Sequence, residues 1–95
     1  MPRFLMNWTF NDVVAFLKQH FFIELTGRPT GHRFYKGLID KVFRQVEVQF
    51  HPNDKTITPR SLQHDIIPKS GIPAEYWKRY GNGDKRVVYK GAEKF

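Results

Sequence analysis

The stretch Val42-Phe-Arg-Gln-Val-Glu-Val-Gln-Phe50 constrains the fold more than any other part of this chain. Val42, Val46, Val48 and Phe50 share one parity, with Arg44 among them, while Phe43, Gln45, Glu47 and Gln49 share the other. Side chains alternate across a strand, so these residues predict a strand with one mainly apolar and one mainly polar face. Such a strand needs partners in a sheet and other elements to cover its apolar side. A chain of 95 residues, 40% hydrophobic, has room for one domain with one core to do this.

The covering elements are legible on either side. Phe10, Val13, Val14, Leu17 and Phe21 recur at three- and four-residue spacing, which predicts a helix over about 10–19 with one apolar face. Thr9 is placed to cap it, with Asp12 at the third helical position completing a capping box, and Trp8 to staple its start. Residues 22–26 alternate, Ile23 and Leu25 against Glu24 and Thr26, as a half-buried first strand. A second strand is expected over 32 to about 38, with Asp40 and Lys41 in the connection to the third.

Beyond the turn-rich loop His51 to Lys55, Thr58-Pro59 predicts a helix start, a hydroxyl N-cap followed by proline at the first helical position. Pro68 falls about ten residues later, where a missing backbone donor predicts a kink or stop, and Gly71 suits a C-cap. Residues 73–80 read as a short last helix anchored by Tyr76, Trp77 and Tyr80. After turn chemistry at Gly81 to Asp84, residues 81–95 are a basic C-terminal extension, read either as an extra strand at 86–89 or as a flexible tail.

Helix, three strands and helix in that order give an α+β domain over residues 1–80. A three-stranded antiparallel sheet would carry its helices on one face, as in the double-stranded-RNA-binding fold. The chain has 16 Lys and Arg against 9 Asp and Glu, a formal charge of +7, which favours partners bearing phosphate or carboxylate. It has no cysteine, so disulfides, thiolate metal sites and thiol catalysis are excluded. No secretory signal or membrane span is apparent, and a cytoplasmic location is the expectation.

Among candidate chemical groups, His32 stands out because Gly27-Arg-Pro-Thr-Gly31 precedes it. Glycine permits tight turns and Pro29 stiffens the loop, so the histidine would be held by a defined bend. The plainer alternative is a polar residue at the start of a strand. His20 at the end of the first helix reads as a cap or surface group. His51 and His64 lack the spacing of a shared metal site, so neither metal nor cofactor is expected.

Several local features together resemble the HicA family of small bacterial toxins. The first helix carries Asp12 to Leu17, a strand follows, and Thr30-Gly31-His32 stands where members read Gly-Ser-His. Val46-Glu-Val48 corresponds to their Val-rich third strand, and Ile66-Ile-Pro-Lys-Ser-Gly-Ile72 to the end of their second helix. The resemblance covers roughly residues 9–77; Pro68 and the tail after Tyr80 depart from it. It implies an endoribonuclease that cuts mRNA and is neutralised by a HicB-type antitoxin, with His32 catalytic and Thr30 and Gly31 beside the RNA.

The residues themselves add to that reading. RNA carries its own nucleophile in the ribose 2′-hydroxyl, so cleavage needs a base, an acid and cations rather than an obligatory metal. Near its ordinary pKa, one histidine can take a proton-transfer role, and Arg28, Arg33 and Lys36 are close in sequence as phosphate contacts. Phe34 or Tyr35 is available to stack a base. Lys55 and Arg60 flank the start of the second helix, where free N–H groups also favour phosphate. The competing class is a non-catalytic module that binds RNA or protein on the same face, with His32 incidental.

Overall fold

The computed structural model describes residues 5–25, 32–49 and 56–95, and for His32 the backbone alone. Helix α1 spans Phe10–Gln19 and starts at the expected capping box. The Asp12 amide donates to Thr9 Oγ1 at 3.1 Å, and the Thr9 amide donates to Asp12 Oδ2 at 2.9 Å. At the other end the Phe21 amide bonds the Lys18 carbonyl and the Phe22 amide bonds the Leu17 carbonyl, both at 3.0 Å. This paired closure puts Phe21 in the left-handed region at φ 68°, a position glycine takes at lower cost.

Four antiparallel strands make one open sheet: β1 Ile23–Leu25, β2 His32–Ile39, β3 Val42–Gln49 and β4 Ala92–Glu93. β3 pairs with all of β2, whereas β1 and β4 lie end to end along its other side, opposite Phe34–Lys36 and opposite Leu38 and Ile39. Asp40 and Lys41 both have positive φ and form the two-residue turn between β2 and β3, whose handedness matches the twist of the strands.

Parity then divides the sheet. Tyr35, Ile39, Val46 and Val48 are buried on the inner side with Val13, Phe16 and Leu17 of α1. Gly37 has the same parity, and a Cβ there would lie 2.5 Å from the Phe22 ring, so the aromatic ring packs directly on the strand backbone. The first strand has the opposite sense from that suggested by its own pattern. Ile23 pairs with Lys36 and is 51% exposed, while Glu24 pairs with Tyr35 on the inner side. The Tyr35 hydroxyl donates to Glu24 at 3.0 Å and Arg33 lies 3.5 Å from the same carboxylate, so the inward acid is satisfied. Phe22, just before the strand, is the residue that enters the core.

The proline-containing segment is α2 Pro59–Ser61, a π turn Leu62–Ile66 and α3 Ile67–Ser70. Thr58 caps it through the Ser61 amide at 3.2 Å. Pro68 has no amide hydrogen and would crowd the preceding turn of a regular helix. The chain widens there, the Ile67 amide bonding the Leu62 carbonyl, and neither stops nor loses the inward direction of Leu62, Ile66 and Ile67. Buried Ser70 ends it, donating to the Ile67 carbonyl at 2.7 Å and accepting from the Ile72 amide at 3.1 Å. Gly71 follows at φ 74°, with the Arg44 side chain where a Cβ would stand.

Helix α4, Ala74–Gly81, begins after Pro73 and buries Trp77 and Tyr80. Their rings meet Trp8 and Phe16, with Phe16 and Trp77 centroids 4.0 Å apart. The residues beyond are docked. Val87 and Ala92 are buried, the Gln19 side chain donates to the Val87 carbonyl at 2.6 Å, and the Asp40 amide donates to the Gly91 carbonyl at 2.9 Å. The added strand is 92–93, not 86–89. His20 explains much of this. It is fully buried at the C-cap of α1, not on the surface, and its ring lies between the Phe16 carbonyl and the Tyr89 amide.

Candidate functional site

The outer side of the sheet is built by the residues that alternate with the core. Along β2 these are positions 32, 34, 36 and 38, and their register partners on β3 are Gln49, Glu47, Gln45 and Phe43. β1 adds Ile23 and Leu25, and β4 adds Glu93 opposite Leu38. The expectation of a polar outer side holds for Gln45, Glu47 and Gln49 but not for its other end. Phe43 is 57% exposed and Phe95 is 53% exposed, their ring centroids 5.4 Å apart and edge to face. The Lys36 ammonium sits 4.6 Å from the centre of the Phe43 ring, within range of a cation–π contact.

The sequence candidates separate on this frame. Arg28, Thr30, Gly31 and Lys55, with His51, lie outside the described residues. His32 opens β2 opposite Gln49, sharing strand parity with Phe34, Lys36 and Leu38. Arg33 has the other parity and is engaged with Glu24, so the two neighbouring cations of β2 belong to different sides of the sheet. Tyr35 is part of the core and cannot stack a base; burial and its bond to Glu24 push the phenol up to about 12, so it remains a protonated donor. Phe34 is the half-buried aromatic that stays on the outer side. Arg60 is exposed in α2 and His64 is exposed in the π turn, both away from the open face in sequence and element.

A cleft of about 230 Å³ runs beside β3 between Phe10, Gln49, Thr58 and Ile66. Glu47 and Asp65 line it, and Asp65 holds Lys69 at 2.7 Å. Carboxylates at the mouth disfavour phosphate, so the cleft and the start of α2 do not combine into an anion site with Arg60. Among the described residues there is no group of three or more His, Cys, Asp or Glu that could hold a metal. Nor is any described helix long and apolar enough to cross a membrane.

Two site residues were missed by sequence reasoning. Phe43 carried a signal, since it is the one aromatic on the otherwise polar parity of its strand. Phe95 carried none, because only the docking of the tail brings the last residue of the chain over the sheet. No protein-family model, curated protein or solved structure matches the chain.

Proposed function

We propose that this protein is a metal-independent endoribonuclease of the HicA type, acting on RNA held against the outer side of the sheet and restrained by a HicB-type antitoxin. The observation that carries the reading is the position of His32. It begins β2 on the strand parity of Phe34 and Lys36, the alternate of the parity that buries Tyr35 and Ile39. The +7 charge of the chain favours a polyanion there, and Lys36 contributes one of its cations.

The chemistry needs little more. A base removes the 2′-hydroxyl proton as that oxygen forms its bond to phosphorus; the bond from phosphorus to the 5′-oxygen breaks, and the departing oxygen receives a proton. Imidazole exchanges a proton near neutral pH, and general acid–base catalysis of this kind contributes about 100- to 10,000-fold. Cations beside the phosphate stabilise the charge that develops. An antitoxin that covers the same face with an acidic surface would exclude RNA by occupying its place.

The test is cleavage of a single-stranded RNA in the presence of a chelator by the natural chain and by His32→Ala, with RNA affinity and melting temperature measured alongside. The expected result is cleavage by the natural chain and at least a 100-fold loss in the variant, with affinity and melting temperature retained. Equal cleavage by both removes His32 from the chemistry. RNA binding with no cleavage by the natural chain leaves the non-catalytic RNA-binding module in its place.

A further inference from the structure

The exposed aromatic pair at the hairpin end of the sheet is a second feature of the outer side. It lies away from His32. Phe43 lies mid-chain on β3 and Phe95 is 52 residues further on, and the pairing of β4 with β2 brings them into contact. Exposed phenylalanines in contact on an open sheet mark an interaction site, because water gains nothing from their rings. Lys36 lies against one ring and Lys41 in the turn adds charge, with no carboxylate paired to either among the described residues, whereas the ammonium of Lys94 turns to the Phe21 ring, 5.6 Å from its centre. Glu93 on the short β4 and Asp40 in the turn are the acids beside it, and the Asp40 carboxylate accepts from the Tyr89 hydroxyl.

From this geometry we infer that Phe43 and Phe95 form a base-stacking platform for single-stranded RNA, with Lys36 and Lys41 meeting the adjoining phosphates. The inference rests on RNA being the ligand and extends it from a cleavage point to a footprint. Six residue steps separate position 32 from position 38, the partner of Phe43, which is about 20 Å of strand. A single strand lying along β2 therefore reaches the ring pair a few nucleotides from the ribose at His32. Aromatic rings with ammonium groups suit this ligand: every base has a π face, and the cations follow the backbone. A stacked duplex keeps its bases from the rings, so the platform selects single strands.

The experiment measures binding of a fluorescein-labelled oligouridylate, and of the same strand annealed to its complement, by fluorescence anisotropy in a His32→Ala background that leaves the RNA intact. Phe43→Ala and Phe95→Ala are each expected to weaken single-strand binding by about 5- to 150-fold, the range of one stacked base, at unchanged melting temperature. Phe43→Trp should bind at least as tightly as the parent, and Phe43→Leu should bind like the alanine variant because it keeps apolar area without a π face. Unchanged affinity in the alanine variants, parent-like affinity for Phe43→Leu, or duplex bound as tightly as single strand overturns the inference. So does a dimer by sedimentation that Phe43→Ala dissociates without altering RNA affinity, since that assigns the patch to protein contact. These readouts are of binding alone, whereas the ribonuclease assignment is read from cleavage by the natural chain against His32→Ala, so failure of the platform is distinguishable from failure of that assignment.

Discussion

His20 shows what one side chain can hold together. The Tyr89 amide donates to Nε2 at 2.9 Å, which fixes that nitrogen as the acceptor and leaves Nδ1 to donate to the Phe16 carbonyl, also at 2.9 Å. A proton on Nε2 would set two donors against each other inside the core. Burial accordingly lowers the pKa of His20 below 6.5, outweighing the opposite pull of the Phe16 carbonyl. Below pH 6.5 the unfolded chain then binds more protons at this residue than the folded one. Its contribution is complete above 6.5 and is lost progressively as the pH falls from there toward the depressed folded value. Urea unfolding at a series of pH values should therefore show the midpoint dropping below pH 6.5 in the natural chain, and dropping less in His20→Gln. Parallel pH curves for the two would place the titration elsewhere. Nitrogen NMR of the ring should report the Nδ1–H tautomer at pH 7.

At the scale of elements, the C-terminal segment is a strap, not an appendage. It runs from α4 past the end of α1, closes on the β2–β3 turn through Asp40, and finishes as an edge strand. Burial of a side chain such as that of Val87 is worth about 1.5–3 kcal/mol, and the strap adds Ala92 and several backbone hydrogen bonds. Truncation after Asp84 should thus cost several kcal/mol and lower the melting temperature by more than 10 °C, whereas removal of an undocked tail would leave it in place. In hydrogen exchange, the amides of Asp40 and Tyr89 should be protected in the natural chain and the Asp40 amide should exchange freely in the truncated one. The elements that were legible beforehand are those whose signals are local. Thr9 with Asp12, Thr58 with Pro59, and the alternation around Val46 each state their structure within a few residues. The strap was ambiguous because its partners, His20, Asp40 and Leu38, are far away in sequence. β1 misled because a short alternation over 22–26 cannot say which parity faces inward, and here Tyr35 and Arg33 decide it by donating to Glu24 on the inner side. The candidate site was legible at His32 and Lys36, whose shared parity follows from spacing, but its phenylalanine pair depends on the strap.

Over the whole molecule, the division into a packed inner side and an aromatic and basic outer side sets what salt should do. Lys36 and Lys41 do not act through the proton chemistry assigned to His32, so affinity and cleavage should respond to different variables. Single-stranded RNA loses affinity with salt at a logarithmic slope of about −0.7 for each phosphate engaged. Two phosphates met by these cations would weaken binding by about 7-fold between 50 and 200 mM salt. The same slope is expected for the natural chain, measured on an uncleavable strand lacking 2′-hydroxyls, and for His32→Ala, because the phosphate contacts belong to the lysines. Replacing Lys36 and Lys41 by Gln should flatten the slope by about 1.4 while leaving the cleavage rate of bound RNA within a few-fold of its starting value. A slope unaffected by both substitutions would move the phosphate contacts off this face, and a cleavage rate that collapsed with them would make Lys36 or Lys41 part of the reaction and not only of its grip on RNA.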